Sequence, residues 1–190
     1  MPLAVRVPNW IGDGVMALPA LRALRRGFPA DELVLVGLDY LTGLYEGQPG
    51  LGRVLPIPRS ASKPRGFLAA ARRIRAAGCR RGLLLPNSFG SALLFRCAGI
   101  GDLTGYARDG RSFLLRHPVQ PPPPGGPFSR YYLGLAEALT GTPAVPEADD
   151  DRLDLVVSDT LNPQKARILL MLALTRTRDT GEIRRIFQTY

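Results

Sequence analysis

A carboxylate between two glycines is the first feature of this chain whose residue types could support chemistry. The triplet Gly12-Asp13-Gly14 follows a short apolar strand near residues 3–7 and opens a predicted helix with apolar residues at Val15, Leu18, Leu21, Ala23 and Leu24. Glycines let the backbone approach a ligand, and a helix start presents unpaired N–H groups that attract an anion. Asp13 is therefore predicted to contact a ligand; the alternative is that its side chain only caps the helix.

A second polar pair, Asn87-Ser88, directly follows another apolar run. Around the two motifs, strands are predicted near residues 3–7, 33–37, 53–57, 82–86 and 103–106, and helices near 14–27, 39–46, 66–77, 88–98 and 129–140. This alternation predicts an α/β fold with a parallel sheet of five or more strands covered by helices. Ligands bind at the carboxyl ends of such strands, so Asp13 and Asn87-Ser88 are expected to open onto one edge.

Each polar motif belongs to a longer string of residues. The first string is Asn9-Trp10-Ile11-Gly12-Asp13-Gly14-Val15-Met16 and continues to Leu24. The second is Leu83-Leu84-Leu85-Pro86-Asn87-Ser88-Phe89-Gly90 and continues through Ala98-Gly99-Ile100 and Thr104-Gly105-Tyr106. Both strings resemble the lipopolysaccharide heptosyltransferase II family. The family consists of glycosyltransferases of the GT-B type with two Rossmann-like domains. The resemblance covers about residues 1–140 and implies the N-terminal, acceptor-side domain.

The resemblance also implies an inverting transfer of heptose from ADP-heptose to the lipopolysaccharide inner core. Asp13 is the implied catalytic general base, and the nearby helix terminus is expected to keep its carboxylate ionised. The implied substrate-binding residues are Asn9, Trp10, Gly12, Lys63, Arg65, Asn87, Ser88 and Arg111. Gly90 stands where such enzymes often have a cation. No metal or cofactor is implied beyond the nucleotide-sugar donor.

The charge distribution predicts an anionic partner. The net charge is +9, and residues 1–120 hold 17 Lys and Arg against 7 Asp and Glu. Nucleic acid is disfavoured because the chain lacks the known nucleic-acid-binding motifs, which leaves phosphorylated sugars and acidic lipid headgroups. No signal peptide or membrane-spanning run is recognised, so we expect a cytoplasmic protein with at most peripheral contact with the inner membrane. Cys79 and Cys97 are expected to be buried free thiols, and His117 a surface loop residue.

The sequence changes character after about residue 140. An acidic segment at 147–154 leads to a predicted helix from Pro163, with an apolar stripe at Ile168, Leu169, Leu172 and Ala173, and to a last short helix at 181–187. Residues 156–190 resemble the carboxyl terminus of type II L-asparaginases, but that family's catalytic Thr, Lys and Asp motifs do not occur upstream. The predicted organisation is an acceptor-side domain at 1–140, an acidic linker or seam at 141–157 and a helical tail at 158–190.

Three functions remain open from the sequence. The first is a truncated heptosyltransferase, since 190 residues leave no room for a second domain of similar size, and this fragment is expected to be inactive alone. The second is a non-catalytic fusion remnant that binds acidic glycolipid. The third is a carboxyl-terminal piece of an L-asparaginase that acts only with the rest of that enzyme. The tail helix is expected to pack only partly on the sheet, because its apolar stripe suits another core.

Overall fold

A computed structural model of the chain describes residues 1–46, 48, 50–123 and 128–143. The chain divides into two units, Met1–Arg152 and Leu153–Tyr190, and every described residue belongs to the first. The predicted tail helices, and most of the predicted linker, lie outside the described residues.

The described part is a succession of strands and helices. The strands are β1 (Leu3–Arg6), β2 (Leu33–Leu38), β3 (Arg53–Ile57), β4 (Arg81–Leu84), β5 (Asp102–Tyr106) and β6 (His117–Val119). The helices are α1 (Ile11–Met16), α2 (Leu18–Gly27), α3 (Thr42–Tyr45), α4 (Pro64–Ala76), α5 (Phe89–Cys97) and α6 (Phe128–Thr140). Short 3-10 turns lie at Asp39–Leu41, Arg59–Ser62 and Ser112–Leu114.

The six strands form one parallel sheet in the order β3-β2-β1-β4-β5-β6. In the register, Leu3 of β1 lies between Leu33 of β2 and Arg81 of β4. The order is that of a doubly wound, Rossmann-like sheet, in which the direction of strand addition reverses between β1 and β4. The expected α/β fold class, a parallel sheet with flanking helices, is confirmed.

Helices cover both faces of this sheet. On one face α4, α5 and the turn at 112–114 bury an apolar cluster that includes Ala70, Ile74, Phe95 and Leu115. On the other face α2 packs along α6, while α1 contacts α3 and α6. The central strands of the sheet consist mainly of buried apolar residues, as expected for a sheet that is covered on both faces. Among the described residues, no helix is both long enough and apolar enough to cross a membrane.

Three elements differ from the sequence-based expectation. The helix predicted at 14–27 begins at Ile11 and is interrupted at Ala17, since Pro19 has no N–H with which to continue the hydrogen-bond ladder. The segment predicted as one helix at 39–46 is a 3-10 turn followed by a single helical turn. His117 is exposed but lies in β6 rather than in a loop, and its Nε2 is 2.8 Å from Asp102 Oδ1. Both cysteines are free, but Cys97 is exposed rather than buried.

Candidate functional site

A cavity of about 350 Å³ opens at the carboxyl ends of β1 and β4, where the strand order reverses. One wall is the loop after β1 together with the start of α1, and the opposite wall is the loop after β4. The turn after β5 and the start of α6 complete the lining. The residues are Pro8, Asn9, Trp10, Asp13, Leu85, Pro86, Asn87, Ser88, Arg108, Tyr131 and Tyr132. This crevice is the position at which open α/β sheets bind ligands.

The wall after β1 is held in place by the buried Arg6. Its guanidinium donates to the carbonyl oxygens of Val7 and Val36 at 2.6 and 3.1 Å, and to Asn9 Oδ1 at 2.5 Å. The Tyr40 hydroxyl donates to the main-chain oxygen of Asn9. Burial lowers the pKa of Arg6 to about 10, so it remains charged at neutral pH. Asn9 is thus fixed at both its backbone and its side chain, and its amide nitrogen is left as the polar group available to a ligand.

Asp13 is the third residue of α1, and the N-cap position is occupied by Trp10. The alternative that Asp13 caps the helix is therefore wrong, because no side-chain cap bond exists at this end. Partial burial raises the pKa of the Asp13 carboxyl. This shift makes the carboxylate a stronger base.

Gly12 and Gly14 lie within α1 rather than in a turn before it. Gly14 is buried, and a Cβ atom added there would be 2.7 Å from the Tyr45 hydroxyl and 2.8 Å from Leu44 Cδ2. Its missing side chain therefore permits α1 to pack against α3, rather than permitting a ligand to approach. Gly12 is not among the residues that line the cavity.

On the opposite wall, Asn87 and Ser88 carry different constraints. Asn87 Nδ2 donates to the Tyr131 hydroxyl at 2.8 Å, while its Oδ1 is buried without a partner. Ser88 is the N-cap of α5, and its hydroxyl accepts from the Ser91 amide at 3.4 Å and lies 2.7 Å from the Ser91 hydroxyl. The unpartnered Asn87 oxygen is thus the stronger candidate to accept a hydrogen bond from a ligand hydroxyl.

Arg111 was expected to bind substrate, but the structure buries it completely. Its guanidinium donates to three carbonyl oxygens, those of Tyr106 at 3.1 Å, Pro86 at 2.5 Å and Ser88 at 3.4 Å. Because Nε and Nη1 donate to the backbone and the side chain has no exposed surface, Arg111 supports the wall after β4 from behind, while its Nη2 is buried without a partner. The substrate-binding assignment of Arg111 is corrected accordingly.

Lys63 and Arg65 are not brought to the cavity. Both are exposed at the start of α4, which follows β3 at the far end of the strand order. Neither contributes to the lining. A role for these two cations therefore requires a ligand that extends beyond the cavity.

Three lining residues with polar or charged side chains were missed from the sequence: Arg108, Tyr131 and Tyr132. Arg108 lies two residues after β5, so the strand-end rule that selected Asp13 and Asn87 would have selected it as well. It places a cation at the cavity although position 90 is glycine. The two tyrosines had no local signal, since only the packing of α6 brings them to the sheet edge. Burial, and then the negative charge of Asp13, raise the pKa of Tyr132.

The cavity presents a carboxylate, amides, aromatic rings and one arginine, a set suited to a polar, hydroxyl-rich ligand with negative charge. In the described ranges, no group of three His, Cys, Asp or Glu side chains is placed to hold a metal ion.

Comparisons with known proteins separate the two ends of the chain. Residues 132–187 match the Glutaminase/Asparaginase C-terminal domain. L-asparaginase 2 of Escherichia coli is 57% identical over 44 residues, 23% of this chain and 13% of that protein. Lipopolysaccharide heptosyltransferase 2 of E. coli is 29% identical over 121 residues, 60% of this chain and 34% of that protein. The chain resembles two different families.

The fold comparison concerns the first of these resemblances. The structure of the E. coli ADP-heptose lipopolysaccharide heptosyltransferase II is similar with a TM-score of 0.63 and 24% identity, over 84% of this chain and 47% of that one. The predicted two-part resemblance, to heptosyltransferase II and to type II L-asparaginase, is confirmed. The chain spans 13% of the E. coli L-asparaginase 2 and less than half of the E. coli heptosyltransferase II.

Proposed function

We propose that residues 1–140 form the acceptor-side domain of an inverting heptosyltransferase, with Asp13 as its general base. The observation that carries the proposal is the Asp13 carboxylate, which lines a cavity at the β1–β4 crevice and has a raised pKa. A base of raised pKa accepts a proton more readily. The sequence similarity to heptosyltransferase 2 supplies the reaction class.

In the proposed reaction, Asp13 takes the proton of a hydroxyl group on the inner-core acceptor. The acceptor oxygen bonds to the anomeric carbon of ADP-heptose, the bond from that carbon to the diphosphate breaks, and ADP leaves with its electron pair. The configuration at the anomeric carbon inverts because attack and departure occur on opposite faces. General-base assistance of this kind contributes a factor of about 100 to 10,000 in rate.

The other lining residues are proposed to orient the sugar. The unpartnered Asn87 Oδ1 accepts from a hydroxyl, and the Asn9 amide nitrogen donates to one. The Trp10 indole, 75% exposed at the cavity, offers an apolar surface to a sugar ring. Arg108 pairs with an acidic group of the ligand, and Lys63 and Arg65 contact the phosphates of an acceptor that extends past the cavity.

A chimera tests the proposal. Residues 1–140 replace the corresponding domain of a complete heptosyltransferase, and Asp13→Asn is introduced. Transfer from ADP-heptose should fall by about 100- to 10,000-fold while the chimera stays folded, because only the proton acceptor is lost. Near-normal turnover of the Asp13→Asn chimera would overturn the assignment of the base.

Two further measurements accompany the chimera. Lys63→Ala and Arg65→Ala should weaken acceptor binding at low salt and have less effect at high salt, since charge pairing is screened. The 190-residue chain by itself should show negligible transfer, because the E. coli heptosyltransferase II is more than twice the length that the chain matches. Clear transfer by the chain alone, free of host enzyme, would contradict this expectation.

We also propose that the protein acts in the cytoplasm at the inner face of the inner membrane, where a lipid-linked acceptor would be available. This placement follows from the proposed acceptor and from the basic charge of the first 120 residues.

A second candidate function rests on the match of residues 132–187 to the asparaginase C-terminal domain. In this alternative the tail acts only when an asparaginase lacking its own carboxyl-terminal segment is supplied. Co-expression of that truncated asparaginase with the 190-residue chain tests it. Restored asparagine hydrolysis would favour this candidate, and its absence would eliminate it.

A further inference from the structure

We propose that the outward side of α4, α5 and the turn at 112–114 is a docking surface for an anionic lipid bilayer. We call it the basic face and define it by its exposed residues, Arg65, Leu68, Arg72, Arg73, Phe89, Leu93, Arg96 and Phe113. The proposal deepens the membrane placement given above by assigning a surface to it. It rests on the proposed function only for the choice of a bilayer as the anionic partner.

The first argument is the absence of acidic residues. The 55 residues between Glu46 and Asp102 contain ten Lys and Arg and no Asp or Glu. This stretch builds α4, β4 and α5, and therefore most of one helical layer. Arg65, Arg72 and Arg73 form no ion pair within the described part of the chain, so their charge is available to an external anion.

The second argument is the apolar residues among these cations. Of the six large hydrophobic side chains that are exposed in the described residues, four lie on this layer: Leu68 is 50% exposed, Phe89 40%, Leu93 37% and Phe113 74%. The Phe89 and Phe113 ring centroids are 6.0 Å apart, so α5 and the turn contribute to one continuous apolar patch. Such exposed patches mark interaction sites.

The third argument concerns arrangement. On α5, Phe89, Leu93 and Arg96 follow one another at helical spacing, and α4 repeats the pattern with Arg65, Leu68 and Arg72. The two helices are in contact on the same side of the sheet. Cations that flank apolar side chains on one surface match a bilayer, in which anionic headgroups surround an apolar interior. A soluble polyanion would use the cations and leave the leucines in water.

The position of the patch also suits a lipid-linked ligand. Phe89 is the first residue of α5 and directly follows Ser88, which lines the cavity. A bilayer bound at this end of α5 would therefore lie beside the mouth of the cavity.

The test is co-sedimentation of the full 190-residue chain with vesicles. The chain should bind vesicles of equimolar phosphatidylcholine and phosphatidylglycerol and should not bind vesicles of phosphatidylcholine alone. Each cation near an anionic surface contributes roughly fivefold to the partition coefficient, so Arg72→Glu with Arg73→Glu should reduce binding by about 25-fold or more. Equal binding to both kinds of vesicle would overturn the proposal.

A matched pair of reversals controls for net charge. Arg26→Glu with Arg130→Glu changes the net charge equally but lies on α2 and α6, in the opposite helical layer. This pair should weaken vesicle binding by less than about threefold, because screened charges on the far side contribute little. An effect as large as that of the Arg72 and Arg73 pair would show attraction by net charge without a defined face, and would overturn the proposal.

The apolar residues distinguish a bilayer from nucleic acid and other soluble polyanions. At high salt, Leu93→Ser with Phe113→Ser should reduce the remaining vesicle binding by about tenfold, because apolar burial is not screened. Unchanged binding by this variant, together with equally strong binding of RNA by the unaltered chain, would assign the face to polyanions and overturn the bilayer.

Insertion of the basic face into the bilayer can be observed directly when the single tryptophan of the chain is placed on that face. In a Trp10→Phe background, the fluorescence of the Phe113→Trp variant should be quenched by brominated phosphatidylglycerol. Absence of quenching in vesicle-bound protein would count against the proposal.

The docking surface can be tested separately from the proposed function. Asp13→Asn should bind vesicles normally, since Asp13 lies in the cavity. If the chain binds vesicles but the chimera transfers no heptose, only the proposed function is refuted. If the chimera transfers heptose but the chain does not bind vesicles, only the proposed docking surface is refuted.

Discussion

Partial burial of the Asp13 side chain has opposite effects on proton transfer and on folding stability. Partial burial at the cavity disfavours its charged form and raises its pKa, which makes it a better proton acceptor. The same burial is unfavourable for folding whenever the carboxylate is ionised. A residue suited to catalysis is thus expected to reduce stability at neutral pH.

This reasoning predicts the effect of Asp13→Asn on stability. With a raised folded-state pKa, the folded protein binds the proton more tightly than the unfolded chain, whose Asp pKa is near 3.8. The favourable contribution is therefore present below that value and is lost as pH rises through the raised pKa. Asp13→Asn should unfold at a higher temperature than the unaltered chain near neutral pH, and the difference should shrink as pH falls toward the unfolded value.

Thermal unfolding followed by circular dichroism over a pH series measures this. Asp109→Asn serves as the control, because it removes one exposed carboxylate. The backbone of Asp109 has a positive φ of 53°, in the left-handed region that Asn also adopts. A destabilised Asp13→Asn variant at neutral pH would contradict the argument.

Arg111 illustrates a different use of charge at the residue scale. It is fully buried and bonds to three backbone carbonyl oxygens on the wall after β4 and at the end of β5. Arg111→Met should destabilise the protein by about 2–4 kcal/mol, because carbonyl groups without donors remain buried. Arg111→Lys should recover only part of the loss, since an ammonium lacks the planar fork of a guanidinium.

Urea unfolding measures the loss as a shift in midpoint at constant slope. Arg108→Met, an exposed arginine of the same turn, should change the free energy of unfolding by less than about 0.5 kcal/mol. Equal effects at the two positions would show that the buried hydrogen bonds do not support the wall.

At the scale of elements, the packing of α1 on α3 depends on the absence of one side chain. Gly14→Ala would place a methyl group 2.7 Å from the Tyr45 hydroxyl and 2.8 Å from Leu44 Cδ2. We expect a loss of about 1–3 kcal/mol, the usual cost of overpacking a core.

A double-mutant cycle tests the cause of this loss. The Tyr45 hydroxyl is buried without a hydrogen-bond partner, so Tyr45→Phe alone should be neutral or stabilising. Gly14→Ala should cost less in the Tyr45→Phe background, because one of its two close contacts is gone. Gly90→Ala on α5 is the control: nothing lies within 4 Å of its Cβ position, and alanine is the better helix former. Additive effects of Gly14→Ala and Tyr45→Phe would refute the clash.

The same elements show what the sequence could predict. Apolar periodicity located five strands within a few residues, because buried parallel strands are short continuous apolar runs. It missed β6, since His117-Pro118-Val119 is a three-residue edge strand with no apolar run. The order of the strands is absent from local patterns, as it depends on which crossovers pack together.

In the candidate site, too, some residues could be predicted from local sequence and others depend on tertiary packing. Asp13, Asn87 and Ser88 were predictable because each lies in the stretch from the end of β1 or β4 to the first turn of the next helix, and the ends of parallel strands meet at one edge. Tyr131 and Tyr132 were not, because they reach the cavity through the tertiary packing of α6 on α2. The burial of Arg111 was equally hidden, since a loop arginine ordinarily indicates an exposed cation.

At the scale of the whole molecule, the two resemblances overlap in α6. The match to the Glutaminase/Asparaginase C-terminal domain begins at residue 132, inside α6, whereas the heptosyltransferase resemblance extends to about residue 140. The packing assigns α6 to the sheet domain. Tyr132, Leu133, Leu135 and Ala136 are all buried, and α6 lies along the apolar side of α2.

Two truncations test this boundary. Residues 1–143 contain all six strands and both helical layers, so this piece should fold alone and unfold cooperatively. Residues 1–127 lack α6. Burial of a large apolar side chain contributes about 1.5–3 kcal/mol, so loss of the α6 contacts removes a stabilisation comparable to the 5–15 kcal/mol of a whole domain. The shorter piece should therefore show no cooperative thermal transition.

The two pieces are compared by circular dichroism and by urea unfolding. A cooperative transition in residues 1–143 but not in 1–127 would place the seam after Thr140, in agreement with the predicted linker at 141–157. A native-like transition in residues 1–127 would instead show that the sheet domain is complete without α6, and the junction of the two resemblances would then lie before residue 132. Because α6 also supplies Tyr131 and Tyr132 to the cavity, that outcome would remove two lining residues from the proposed acceptor site as well.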